Sequence, residues 1–547
     1  MEFNFDLGVS DQADFIDSTR RFAIGDLLRK RARTDPDAIA VRGRDRELSY
    51  AELESRVNRL SNALLERGYE PEESTFAILS ENRTEFVEVM YASATLGCLI
   101  GAQNWRLERT ELVHCIDTVD PDVLFVSGRH FEKVEWIEAD GEADPEYVAL
   151  DDVADAPSST VAYDTLREHS DSSPPLPARS IDPEQGFVVM YTSGTTGLPK
   201  GAVISHRAEF ARAHQVIVDY GLKKGDSYPS WAPMFHMGGI DWIITTAVLG
   251  GTYYPIDGFD TDRIVDVLRT ANSPLSWLIL FPGTLDRILD RLEEAAAERA
   301  DFQEIRSVGA LLDLMNAEKI ARITEILDAP AQNTYGSTEV GHATSGNKVA
   351  PGVPPEGSQL DKAESPFIQV TVVDDDGNHV DPGESGEVAV RGPTLCSGYL
   401  DNSDANRTEF EDGWFHTGDI MVWNEDSTYS YVNRRKYLIK SGGENIYPAE
   451  IEEVLFRHEL VEDVTVVRTP DGKWGEVPRA VVGTSEPEEV SPEELLEMVE
   501  AELANYKLPH YIQIVEPSAF PRSTTGKIVR ETVEEWPISE EDRVRRV

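Results

Sequence analysis

Cysteine is nearly missing from this chain: Cys98, Cys115 and Cys396 are the only three in 547 residues, and none stands at a metal-ligand or redox spacing from another. A disulfide framework is excluded, and buried free thiols in apolar or mixed stretches are expected. Lysine is scarce as well. Of 51 cations 13 are Lys, against 100 Asp plus Glu, and the formal charge is −49. The clustered Lys and Arg that neutralise phosphates are lacking and the surface repels a polyanion, which excludes nucleic acid as a partner. No stretch approaches the roughly 18 apolar residues of a membrane span. The start, MEFNFDLGVSDQADF, has neither the basic region nor the apolar run of a leader. A soluble, cytoplasmic protein without integral membrane contact is expected. Its acids run the whole length instead of forming a tail, and the charge far exceeds what solubility in dilute buffer requires. A halophilic protein, kept stable at high salt by a solvated surface, is the expectation; an ordinary acidic cytosolic enzyme is the alternative.

The chain is too long for one core and should divide into about two to four units. Ser49 and Glu52 form a capping-box pattern ahead of Leu53, Val57, Leu60 and Leu64 at helical spacing. Strand-like STFAILS, helix-like EFVEVMYASATLG and strand-like VLFV follow. The alternation continues through FVVMYTS, SHRAEFARAHQVIVDY, DRIVDVLRT, SWLILF and TLDRILDRLEEAAAER. The fold class is therefore α/β, with doubly wound parallel sheets up to about residue 345. Between 366 and 432, FIQVTVVDDDGNHV turns at Asp376-Gly377 and GEVAVRG alternates, the pattern of antiparallel strands in a small β-barrel-like subdomain. After Lys436, AEIEEVLFRH, DVTVVRT, PRAVVG, a helix opened by Ser491-Pro492 with Glu494, and YIQIV predict a small α+β domain. The Asp-, Ser- and Pro-rich stretch 152–185 reads as a surface loop, and no internal repeat is present.

The strongest local signal is YTSGTTGLPKG at 191–201. A strand runs into a loop where Gly194, Gly197 and Gly201 permit close backbone approach. Exposed amides with the hydroxyls of Ser193, Thr195 and Thr196 supply donors to an anion, and Lys200 adds a point charge. The spacing G-x-x-x-x-G-K-[ST] is absent, which disfavours a P-loop kinase or GTPase. By itself such a loop is as often a turn as a site. It is, however, the first of a series: PMFHMGG at 233–239, NTYGSTEVGH at 333–342, GWFHTGD at 413–419, NRRKYLIKSGGENIYPAEIE at 433–452 and PRSTTGKI at 521–528.

In these motifs, spread over nearly the whole chain, the sequence resembles the adenylate-forming superfamily of acyl-CoA synthetases, adenylation domains and luciferases. The resemblance implies an AMP-forming acid–CoA ligase. Such an enzyme activates a carboxylic acid with ATP to an acyl-adenylate and pyrophosphate, then forms acyl-CoA and AMP, with Mg²⁺ as the metal. It implies nucleotide contacts at Thr192, Ser193, Gly194, Thr195, Thr196, Gly197, Lys200, Tyr335, Gly336 and Ser337. Tyr335 stacks on adenine, Thr338 contacts phosphate and Glu339 helps hold Mg²⁺, a hard cation content with few protein oxygens. Asp419 accepts the ribose hydroxyls, Arg434 reaches ribose and phosphate with its guanidinium fork, and Lys527 neutralises the attacking carboxylate and the α-phosphate. Lys436 takes the hinge position between an N-terminal domain at 1–432 and a C-terminal domain at 437–547, with 433–436 as the hinge. Ser441, Gly442, Gly443 and Glu444 lie where CoA passes. His236, Gly238, Gly309 and Ala310 fall at the acyl pocket, and Met234, Gly239, Trp242 and Leu311 are further wall positions, while Trp231 and Trp277 read equally as core.

The chain departs from the family pattern at Asn433 and Tyr437, where acids are usual, in VGALLD at 308–313, and at Leu360, where glycine is usual. A medium- or long-chain fatty acid is the expected substrate, with an aryl acid of the cinnamate or benzoate type as the alternative. A stand-alone enzyme loading a carrier protein is the second class, kept open for amino acids by Asp241. A non-enzymatic regulator is disfavoured by intact Glu339, Asp419, Arg434 and Lys527. Acid chain length is not legible, and a homodimer is left open.

Overall fold

The computed structural model describes residues 21–151, 156, 160–168, 170–175, 181–192, 198–281, 284–297, 301–441, 444–523, 527–539 and 542–545. The chain divides into two compact units: Met1–Asp260 with Thr338–Gly341 and Pro393–Asn406, and Thr261–Ser337 with His342–Gly392 and Arg407–Val547.

In the first unit a seven-stranded sheet has the order Val161–Ala162, Glu146–Ala149, Val123–Val126, Thr75–Leu79, Leu99–Gln103, Gly186–Thr192, Lys200–Ser205. Its central strands are apolar runs buried along nearly their whole length. Such runs suit parallel strands covered on both faces, and all pairs are parallel except the last. That last pair is antiparallel, its register running to Thr192 opposite Lys200. A second sheet orders Tyr228–Ser230, Tyr253–Pro255, Ile39–Arg42 and Glu47–Ser49. The capping box forms as the sequence predicts. Glu52 N donates to Ser49 Oγ at 3.2 Å and Ser49 N to a Glu52 carboxylate oxygen at 2.8 Å, which starts the helix Tyr50–Glu66. The three cysteines are buried and free, and desolvation pushes the Cys98 and Cys396 thiols up to about 12.

The second unit carries an eight-stranded sheet, ordered Ala331–Ser337, Gly341–Val349, Lys362–Glu364, Tyr429–Arg434, Trp414–Trp423, Ser385–Arg391, Gln369–Val373, with Phe410–Glu411 beside Trp414–Trp423. From Gly341–Val349 onward its pairs are antiparallel, as the alternation in 366–432 predicts. The expected strand SWLILF differs: Leu278 makes a single parallel bridge to Val308, Leu275 just before the run bridges Ile305, and no regular strand forms. Gly309, at φ 119°, turns the facing chain out of extended geometry directly after the Val308 bridge.

The C-terminal residues build a five-stranded sheet around the hairpin Asp463–Asp471 and Gly475–Gly483, flanked by helices Pro448–Leu455 and Pro492–Glu502. Ile439, Ile451, Leu455, Val466, Val482 and Ile512 belong to a core lying wholly beyond residue 436. No boundary between the two units falls at 433–436, and the expected division there is carried forward as a proposal.

A buried ion pair sets one wall of the second unit. Lys362 Nζ lies 3.0 Å from both Asp313 oxygens and donates to Leu360 O at 3.1 Å. Asn333 Nδ2 donates to Asp313 at 2.9 Å and to Leu360 O, and Asn333 Oδ1 accepts from Leu312 N at 2.8 Å. Lys362→Met leaves the Asp313 charge without its cation and is expected to cost about 3 kcal/mol, measured by chemical unfolding. Adding Asp313→Asn to that variant recovers part of the loss.

Candidate functional site

In the first unit the candidate residues begin at the paired ends Thr192 and Lys200. Ser193, Gly194, Thr195, Thr196 and Gly197 lie outside the described residues. On the rising strand Thr192 Oγ1 is buried without a hydrogen-bond partner among the described residues, a hydroxyl still able to bond an anion. On the returning side a His114 ring nitrogen bonds Pro199 O at 3.1 Å, and the Lys200 ammonium lies 4.1 Å from the centre of the Tyr399 ring.

Thr338 and Glu339 follow the strand Ala331–Ser337 and are held from below. Arg212, on the buried face of the helix His206–Tyr220, donates from Nη2 to Thr338 O at 2.8 Å and from Nε to Thr394 O at 2.9 Å. Its stem passes Gly341 so closely that a Cβ there would come within 2.9 Å of Arg212 Cγ; with φ at 74° the position calls for glycine twice over. Cys396 N donates to Glu339 O at 2.8 Å, and the Tyr399 hydroxyl donates to Glu339 Oε1 at 3.0 Å. Arg212, Tyr399 and His114 were not singled out in the sequence. A cation in the buried stripe Glu209, Ala213, Val216, Tyr220 is the signal that could have found Arg212.

Arg212 also faces Asp241 at 3.6 Å. Burial raises the Asp241 carboxyl to about 6 against the pull of Arg212. Burial and Asp241 together push Glu209 well above the usual carboxylate range. Asp241 is thus paired inside the protein, which weakens it as a partner for an α-amine. His236 caps the helix Met237–Leu249, its Nδ1 accepting from Gly238 N at 3.2 Å. Gly238 O accepts from the Tyr228 hydroxyl at 2.8 Å, and a Cβ on Gly239 would lie 2.7 Å from Met234 Cα. Trp242 stacks on Tyr228 with centroids 4.4 Å apart, and Trp231 meets Phe259 edge-on at 4.6 Å; both tryptophans are buried and pack as core.

In the second unit the centre is Asp419, 2% exposed. The Tyr335 hydroxyl donates to its Oδ2 at 2.7 Å and Arg434 Nε to its Oδ1 at 2.9 Å. Asp419 and Arg434 are register partners on the adjacent strands Trp414–Trp423 and Tyr429–Arg434, so the ion pair is a cross-strand pair. The Asp419 charge raises Arg434 further above its usual range. Burial, and then Asp419, hold the Tyr335 hydroxyl protonated far above the usual phenol range. The Tyr335 ring leans toward Tyr431, centroids 6.3 Å apart. Ser337 Oγ is another buried hydroxyl without a partner among the described residues, beside half-buried Gly336. Gly309 turns the chain and Ala310 O accepts from Thr334 N at 2.9 Å, which fixes that wall to the strand carrying Tyr335; Leu311 is half-buried, and Trp277 packs edge-on with His342.

Lys527 closes a turn in which Ser523 N donates to Lys527 O at 2.7 Å. The residue is exposed, yet enough protein surrounds its amine that desolvation, then the Arg434 charge, hold the ammonium down at about 8, with Asp419 opposing. Sequence positions 419, 434 and 527 thus come into one electrostatic neighbourhood.

Lys436 is engaged: its Nζ lies 2.7 Å from Glu531 Oε1, which also accepts from the Tyr437 hydroxyl at 3.1 Å. Tyr437 therefore stands in a polar clamp where the family pattern has an acid. Asn433 is buried, with Oδ1 on Arg434 N at 2.8 Å. Ser441 is buried and opposes Glu444 across a hairpin; Gly442, Gly443 and the Glu444 side chain lie outside the described residues.

Known proteins resemble this chain over nearly its whole length. Residues 28–400 match the family described as AMP-binding enzyme, and 450–527 match the AMP-binding enzyme C-terminal domain. The chain is similar to an indoleacetate–CoA ligase of Aromatoleum aromaticum, 33% identical over 93% of this chain and 97% of that protein. It is also similar to a feruloyl-CoA synthase of an Amycolatopsis species, 30% identical over 93% and 98%. Its fold matches that of an anthranilate CoA ligase solved with anthranoyl-AMP, with a TM-score of 0.81 at 21% identity, covering 94% and 98% of the two chains.

Because Asp419 raises the Lys527 amine, Asp419→Asn is expected to move it below about 8. The pH profile of Lys527 labelling by an amine-reactive reagent reads this directly; an unmoved profile would separate the two residues.

Proposed function

This chain belongs to the AMP-binding enzyme family and is an AMP-forming acid–CoA ligase, and from that premise we propose that its acid is an aryl or arylalkanoic carboxylic acid. The observation that carries the proposal is the likeness, over nearly full length, to ligases named for indoleacetate and ferulate. The expected fatty acid gives way to the alternative stated beside it.

In this reading ATP is bound by its parts. Each Asp419 oxygen accepts one protein hydrogen bond and keeps a lone pair, so the carboxylate serves the two ribose hydroxyls. Tyr335 presents its ring to adenine while its hydroxyl is tied down. Arg434 reaches ribose and phosphate. Lys200, the hydroxyls of Thr192 and Ser337, and the glycine-rich loop receive phosphate oxygens, and Thr338 contacts phosphate. Among the described residues no group of three or more His, Cys, Asp or Glu side chains could hold a metal. The single carboxylate of Glu339 fits Mg²⁺ whose other ligands are phosphate oxygens and water, and bound there the ion would neutralise polyphosphate charge.

Lys527 places a cation where the acid's carboxylate meets the α-phosphate. His236, Gly238, Gly309 and Ala310 belong to the acid's side, and Ser441 to Glu444 to CoA. Residues 433–436 serve as a hinge between 1–432 and 437–547, supported by the separate core beyond residue 436. We place the enzyme in a salt-rich cytoplasm: among the described residues no helix is long and apolar enough to cross a membrane, and the −49 charge calls for screening.

The test is ATP- and CoA-dependent release of AMP and pyrophosphate at high KCl, with indoleacetate, ferulate, cinnamate, benzoate, succinylbenzoate, acetate, palmitate and amino acids. Turnover preferring aryl acids is expected; preference for palmitate would restore the fatty-acid reading, and pyrophosphate exchange without CoA turnover would indicate carrier loading. Lys527→Ala should slow adenylation about a hundred- to a thousandfold and spare thioester formation from supplied acyl-adenylate. Since the ammonium is the working form, adenylation should fall as pH rises through about 8, a limb missing from the variant's residual rate. Apparent KM values for ATP and CoA should fall as KCl rises toward about 1 M, where the Debye length is about 3 Å; KM values climbing steadily with salt would overturn the halophilic assignment.

A further inference from the structure

Tyr399 touches both an acid and a cation of the first unit. Its hydroxyl donates to Glu339 Oε1 at 3.0 Å, and the Lys200 ammonium sits over its ring, 4.1 Å from the centroid. The ring is 3% exposed and its backbone is gripped on both sides by one side chain: Asn406 Oδ1 accepts from Tyr399 N at 2.7 Å, and Asn406 Nδ2 donates to Tyr399 O at 2.8 Å. The surrounding segment pairs with the strand that begins at Lys200. Val203 N donates to Gly398 O at 2.9 Å and Leu400 N to Gly201 O at 2.8 Å. A stiff aromatic post therefore holds a carboxylate at its polar tip and an ammonium on its face.

Each contact has a known physical basis: a phenol donating to a carboxylate is a charge-assisted bond, and a ring face attracts a cation through its quadrupole. Their combination does something neither does alone. It seats a carboxylate and an ammonium on different parts of one buried ring. We infer that Tyr399 is a positioning residue for the polyphosphate of the nucleotide, holding Glu339 ready for a metal-bound phosphate and Lys200 ready for a free phosphate oxygen. The inference rests on the roles proposed above for those two residues.

Two variants separate the contacts. Tyr399→Phe keeps the ring beneath Lys200 and removes only the donor to Glu339; Tyr399→Leu removes both. ATP binding is measured calorimetrically with and without Mg²⁺, next to adenylation and to thioester formation from supplied acyl-adenylate. For Tyr399→Phe, affinity for ATP with Mg²⁺ should drop about tenfold, the loss of one hydrogen bond to a charged group, while metal-free ATP binding and thioester formation stay within about twofold. Tyr399→Leu should weaken metal-free binding too. Wild-type affinity for Mg²⁺-ATP in Tyr399→Phe overturns the inference. So does an equal loss in both binding conditions accompanied by a lowered unfolding midpoint, which would make the hydroxyl merely structural. A wild-type enzyme that binds Mg²⁺-ATP but converts no acid overturns the proposed function and leaves this result readable.

Discussion

Asp419 is a carboxylate buried at a strand crossing, and such burial is tolerable only where its oxygens are bonded. Tyr335 and Arg434 supply those bonds, one to each oxygen. The candidate residues of the second unit depend on this arrangement. Slipping the Trp414–Trp423 and Tyr429–Arg434 pairing by one residue would put Asp419 and Arg434 on opposite faces, strand the anion and release the tyrosine. The Lys527 amine, held down first by desolvation, is tuned from the same place, with the Arg434 charge lowering it further and the Asp419 charge raising it. One cross-strand pair thus sets ring position and anion position and adjusts the basicity of a lysine nearly a hundred residues further along the chain.

The first unit reverses the sign of the organising charge. Arg212 is buried among acids, and its fork reaches two backbone carbonyls on separate segments, Thr338 and Thr394. A guanidinium can do this because its donors diverge in a plane, whereas an ammonium would satisfy the carbonyls only as a point charge. The turn carrying Glu339 is therefore held by its backbone through Arg212 and Cys396 and by its carboxylate through Tyr399. Its freedom is small before any ligand binds, which lowers the ordering cost of binding.

The composition gains meaning from these contacts. In a chain with 13 lysines and 100 acids, lysine is a poor general-purpose surface residue. Several that remain have assigned partners: Lys200 over Tyr399, Lys362 on Asp313, Lys436 on Glu531, and Lys507 on Glu450. Solvation of the outside is left to carboxylates. Specific positive charge is kept for places where a carbonyl, a carboxylate or a ring face is met.

Much was legible in one dimension because it follows from local rules. Strand-length apolar runs, the Ser49 capping box, the Asp376-Gly377 turn and the Ser491-Pro492 helix start were readable because each depends on residues within a few positions of one another. The ordered motifs around Lys200, Glu339, Asp419, Arg434 and Lys527 were readable as family signatures, and with them the reaction class. The sequence alone could not show that Tyr335 spends its hydroxyl on Asp419, that Asp241 is occupied by Arg212, or that Tyr399 joins Lys200 to Glu339. Those contacts join residues up to about 200 positions apart and arise from strand register and helix packing. Tertiary structure decided them because a side chain's partner is set by which distant backbone lies within a few ångströms, and no local pattern encodes that distance.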